Sequence, residues 1–112
     1  MSNRICLLAG FDKNNLIQDY VVFLVRELAK ISDVYYFADG NMSQTELMKI
    51  RAYTEYAQSS RHCGKYFGSW QCLIQYIGWK ELEKYDEMII CNDSIYGPMT
   101  NIEDILDRKS VV

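Results

Sequence analysis

The chain has 112 residues, of which 49% are hydrophobic and 24% charged, with a net charge of −3 and acids and bases interspersed. That is enough chain for one domain built on one core, and a basic face for nucleic acid is excluded. No stretch approaches the length of a membrane span. The start, Met1-Ser2-Asn3-Arg4, leads into a short apolar run, Ile5 to Ala9, which is too brief for an export signal. A cytoplasmic location is therefore expected. The four cysteines, Cys6, Cys63, Cys72 and Cys91, form no C-x-x-C pair and are expected as reduced thiols. A zinc site from His62, Cys63 and Cys72 would match no common ligand spacing.

Arg4 to Phe11 is a continuous apolar run and the predicted first strand, ending in the polar loop Asp12-Lys13-Asn14-Asn15. Asn15 and Gln18 have capping-box spacing. Behind them Ile17, Tyr20, Val21, Leu24, Leu28 and Ile31 recur at three and four, the stripe of a helix that stops near Ser32-Asp33. Val34-Tyr35-Tyr36-Phe37-Ala38 is β-branched and aromatic, hence a strand, and Asp39-Gly40-Asn41 turns the chain. Ser43 with Glu46 predicts a second cap, and Leu47, Ile50 and Tyr53 (or Ala57) the stripe of a second helix. This β-α-β-α order calls for a parallel sheet covered by helices.

Ser59-Ser60-Arg61-His62 reads as a short strand or a loop, the strand being preferred. Gly64 and Gly68 bracket Lys65-Tyr66-Phe67, which suggests a passage where backbone comes close to something. His62, the single histidine, is either a structural hydrogen-bonder or a proton-transfer group. Ser69 is the expected cap of a third helix carrying Trp70, Leu73, Ile74 and Ile77. Gly78 interrupts that helix, and Trp79 to Tyr85 adds a further turn or two. Met88 to Cys91, without polar alternation, predicts a strand buried on both faces. Thr100 with Glu103 repeats the capping-box spacing before a stripe of Ile102, Ile105 and Leu106.

The strand at Met88 to Cys91 ends in Asn92-Asp93-Ser94. In open α/β sheets ligands bind at the C-terminal ends of strands. A carboxylate there, flanked by an amide and a hydroxyl, suits a divalent cation and the phosphates it carries. The same three residues also favour a simple turn, because each can bond its own backbone. Both readings stand at this point.

Several strings together resemble the rhamnan synthesis protein F family: Phe11-Asp12-Lys13, Asp19-Tyr20-Val21, Phe67-Gly68-Ser69-Trp70, Tyr85-Asp86-Glu87 and, most specifically, Asn92-Asp93-Ser94-Ile95-Tyr96-Gly97-Pro98. The likeness runs from about Arg4 to Leu106. It implies a Rossmann-like three-layer α/β sandwich with a mainly parallel sheet of about four strands, the nucleotide-binding half of a GT-A glycosyltransferase fold. It further implies rhamnosyl transfer from a dTDP- or GDP-linked rhamnose in cell-wall or lipopolysaccharide polysaccharide synthesis. Under that resemblance Asp93 would hold Mg²⁺ or Mn²⁺ against the donor's phosphates, with Phe11, Asp12, Asn92, Ser94 and Tyr96 around the nucleotide sugar. His62, Gly64, Tyr66 and Gly68 would form a donor-side loop. Where the family pattern reads Tyr-Asp-Phe-Gly, this chain has Lys65-Tyr66-Phe67-Gly68, so the carboxylate of that slot is absent. The chain is about half the length expected of a complete domain of this class, roughly 200–250 residues, so a partial domain is implied. The alternative is a non-catalytic interaction domain that keeps the fold. An open sheet edge and apolar face would then favour a homodimer.

Overall fold

The computed structural model describes residues 3–62 and 64–93. Four strands alternate with helices: β1 (Arg4–Gly10), α1 (Asp19–Ala29), β2 (Asp33–Asp39), α2 (Gln44–Arg51), β3 (Tyr56–Ser60), α3 (Lys65–Ile77), α4 (Trp79–Leu82) and β4 (Glu87–Asn92). All pairings are parallel, and the order across the sheet is β3-β2-β1-β4. The result is the Rossmann-like three-layer α/β sandwich expected from the alternating pattern.

Side chains on successive strand residues point to opposite faces, and each face is covered differently. On one face Cys6, Leu8, Val34, Tyr36, Ala38, Ala57, Ile89 and Cys91 meet Val21, Leu24, Val25 and Leu28 of α1 and Leu47 and Ile50 of α2. On the other, Ile5, Leu7, Phe37 and Met88 meet Trp70, Leu73, Ile74 and Ile77 of α3 and Leu82 of α4. β1 lies between two neighbours and under both helical layers, so Ile5 to Gly10 is wholly buried. That explains its unbroken apolar run. Each of its large side chains contributes roughly 1.5–3 kcal/mol by leaving water.

β4 departs from expectation. It borders only β1 among the described residues. Ile89 and Cys91 are buried, but Met88 and Ile90 on the α3 side are half-buried, so the strand is not sealed on both faces. The strand buried on both sides is β1.

The helix ends show where local signals competed with tertiary ones. Ser43 caps α2 by accepting the Glu46 N–H, as its spacing predicts. Glu46 does not return the bond. Its carboxylate accepts from the Ile17 N–H at 2.8 Å and from Lys49. The Asn15–Gln18 box does not form, because Asn15 adopts a left-handed φ of 58° and its Oδ1 accepts the Asn41 N–H. Helix α1 starts four residues later, behind an uncapping Gln18. Its stripe includes Val25, fully buried, while Tyr20 faces solvent.

β3 lies three residues ahead of the predicted strand and takes Ala57 away from the second helix. Ser69 does not cap α3; it sits inside the helix, fully buried, because α3 begins at Lys65. Gly78, at φ 86°, ends α3 in a conformation that favours glycine. The predicted cap at Thr100 and the stripe through Leu106, together with Cys63, Ser94 and Tyr96, lie outside the described residues.

Candidate functional site

Parallel strands place all four C-terminal ends on one rim: Gly10, Asp39, Ser60 and Asn92. From β1 to β2 to β3 the chain steps in one direction, and β4 then returns to the opposite side of β1. The switch in direction therefore falls between β1 and β4, the place where open α/β sheets form a ligand crevice. Asp93 and the Phe11-Asp12 pair stand at it.

The Asp93 backbone N–H donates to the Ala9 carbonyl at 2.9 Å, extending the ladder one step past the strand. Its side chain turns back toward the tip of β1, where Oδ2 accepts the Phe11 N–H at 3.0 Å. The Tyr66 hydroxyl, at the start of α3, donates to the same carboxyl. The group is 3% exposed. Burial pushes its pKa up to about 6, even though Phe11 and Tyr66 favour the charged form, and the nearby Asp12 adds to the rise. The Tyr66 phenol thus faces Asp93. Trp70 adds a further tie, its Nε1–H donating to the Cys91 carbonyl at 3.0 Å.

Asp12 works differently. Its Oδ2 accepts from Asn14 N–H and Leu16 N–H at 2.9 and 3.1 Å, and Gln18 donates to Oδ1. The little burial it has pushes its pKa up, but these donors and Lys13 outweigh it and the pKa falls below the usual value. Asp12 organises the loop after β1.

Beside that loop lies a cleft of about 320 Å³ at the ends of β1, β2 and β3, lined by Phe11, Asp12, Lys13, Asn15, Asp39, Gly40 and Arg61. Its size is at the lower end of small-molecule pockets. Phe11 offers a partly exposed ring at its mouth. Sequence reasoning assigned Phe11 and Asp12 to a ligand but passed over Lys13, Asp39 and Arg61. The available signal was position alone, since each follows or closes a predicted strand.

His62, Ser69 and Asp39 have the composition of a proton relay, but their bonds run the other way. The Gly64 N–H donates to His62 Nδ1 at 3.0 Å, so that nitrogen is an acceptor and the ring proton sits on Nε2. Nε2 is 2.9 Å from Ser69 Oγ, which is buried, and therefore donates to it. Asp39 Oδ1 accepts the His62 backbone N–H, and its Oδ2 is 3.8 Å from Nδ1. The imidazole is a lock between the end of β3 and helix α3. The two glycines make room for it. A Cβ on Gly68 would lie 2.6 Å from Nδ1, and one on Gly64 would lie 2.9 Å from the Gly68 Cα. His62, Gly64 and Gly68 thus form one packed unit, beside which Tyr66 reaches Asp93.

A divalent cation needs several oxygen ligands, including a carboxylate with a free face. Asp93 is buried and engaged by Phe11 and Tyr66, and Asp12 by its own loop. Among the described residues no group of three or more His, Cys, Asp or Glu side chains is placed to hold a metal ion. The described side chains do not by themselves fit a cation at Asp93. Cys6 and Cys91 are free and buried with sulfurs 3.7 Å apart. Their mutual hydrogen bond and their burial push the Cys6 thiol well up, which makes it inert. No described helix is long and apolar enough to cross a membrane.

Compared with known families, residues 34–110 match the sequence model described as Rhamnan synthesis protein F. No curated protein and no solved structure matches the chain.

Proposed function

The chain belongs to the rhamnan synthesis protein F family, and on that premise we propose that it binds a nucleotide-activated rhamnose for glycosyl transfer in rhamnan synthesis. The donor would lie at the C-terminal rim, in the cleft by Phe11. The observation that carries this reading is the cleft of about 320 Å³ at the C-terminal ends of β1, β2 and β3, beside the Phe11-Asp12 loop. Asp93 serves as the bolt that joins the two tips, holding the Phe11 backbone in register with β4.

Thermal unfolding with dTDP, GDP and their rhamnose conjugates tests it. A bound nucleotide at a hundred times its Kd adds about 2.7 kcal/mol and raises the midpoint by several degrees. No shift with any of the four at millimolar concentration removes the reading.

A second reading, a self-associating domain without turnover, has its own support. Phe67, Tyr76 and Trp79 on α3 and α4 are 68%, 59% and 63% exposed. Large aromatic surface of that kind favours association. Light scattering at high micromolar concentration would show a dimer under this reading; a monomer there removes it.

A further inference from the structure

The cleft at the ends of β1, β2 and β3 carries two acids and two bases, and they are not equivalent. Both oxygens of Asp12 accept loop donors, and Asp39 is buried with Oδ1 on the His62 N–H. Lys13 and Arg61 are exposed, and among the described residues neither lies in a salt bridge. The two acids and two cations cancel formally, so what distinguishes the lining is that its most exposed charge is positive. It comes from two separate strand tips, one on each side of the opening.

We propose that Lys13 and Arg61 hold the diphosphate of the bound nucleotide, so that the chain takes a nucleoside diphosphate without a divalent cation. The proposal rests on the nucleotide-binding reading above and assigns the neutralising charge within it. A guanidinium meets phosphate oxygens with two parallel N–H donors, and an ammonium adds a point charge. Both act on the diphosphate that would leave as the sugar departs, the task a cation otherwise performs. Asp93, buried against Phe11 and Tyr66, is then a fastener for the two tips.

Isothermal titration of the full chain with dTDP, GDP, thymidine and guanosine, each in EDTA and in Mn²⁺, tests this together with Arg61→Gln and Lys13→Gln. Both positions are exposed, so the variants fold, which circular dichroism verifies. The expected result is diphosphate binding in EDTA within about twofold of that in Mn²⁺, weakened roughly tenfold by either substitution, with nucleoside binding unchanged. Diphosphate binding that requires Mn²⁺, or that ignores both substitutions, overturns the assignment of charge and leaves the nucleotide reading intact. Absence of binding by all four compounds under both conditions overturns the two together.

Discussion

Two aspartates stand at the tips of neighbouring strands and behave in opposite ways. Asp12, after β1, is largely solvated and receives three hydrogen bonds from its own loop, so its pKa is lowered. Asp93, after β4, is buried and faces the backbone of another strand, so its pKa rises to about 6. Both are short acids following an apolar run. What separates them is how many donors reach the carboxylate for the amount of water removed. A loop that wraps its own acid stabilises the charge, whereas a packed crevice accepts the acid only with strain on its ionised form.

Gly10→Ala breaks both tips at once and carries the largest expected effect. A Cβ there would overlap the hydroxyl and ring of Tyr36, which is fully buried and whose own ionisation is opposed by burial and by both aspartates. Urea unfolding should show a loss of about 3 kcal/mol, the upper range of overpacking. Unchanged stability would mean that Tyr36 has room to move.

Asp93→Ala should follow, at about 2 kcal/mol, because it leaves the Phe11 N–H and the Tyr66 hydroxyl facing a buried void. A cost below about 0.5 kcal/mol would show that the two tips hold together without this carboxyl.

The acid response sharpens the contrast. The folded pKa of Asp93, about 6, lies above the usual carboxylate value, so the folded state binds the proton first as pH falls. Its contribution is most favourable below about pH 4 and declines as pH rises from about 4 to 6, by about 2 kcal/mol. Asp93→Asn should flatten that decline, measured as the difference in unfolding free energy between about pH 4.5 and about pH 7. Equal slopes in both proteins would contradict the burial of the charge.

Asp12 has the reverse sign. Its lowered pKa adds stability above the unfolded value, and this is lost as pH falls through the folded one. Asp12→Ala should cost about 1 kcal/mol near neutrality, limited by solvent screening, and less in acid. Chemical denaturation at both pH values reads it, and a cost that grows in acid would reverse the assignment.

Much of this frame is legible in the sequence. The apolar run of β1 and the Ser43 cap are short-range patterns that formed where their spacing placed them, and the three-and-four stripe of α1 holds at Val21, Leu24 and Leu28. Predictions failed where a remote partner offered a better bond. Asn15 left its helix for Asn41, Glu46 left the Ser43 box for Ile17, and Ser69 became a buried acceptor for His62 rather than a cap. Position 57 illustrates the same competition, since an alanine fits a helix stripe and a strand equally well until its neighbours are present.

By itself the sequence determined the α/β alternation, the apolar first strand at Arg4–Gly10 and the presence of polar groups just beyond each strand, because these depend on residues within one or two turns of one another. Tertiary structure alone decided that β4 lies beside β1 instead of beside β3, and with it that Asp93 meets Phe11 across 82 positions of chain. It also decided that Lys13 and Arg61 border one cleft, and that His62 donates inward to Ser69. Which strand tips become neighbours is set by the joint burial of two sheet faces, a sum over distant segments that no local spacing encodes.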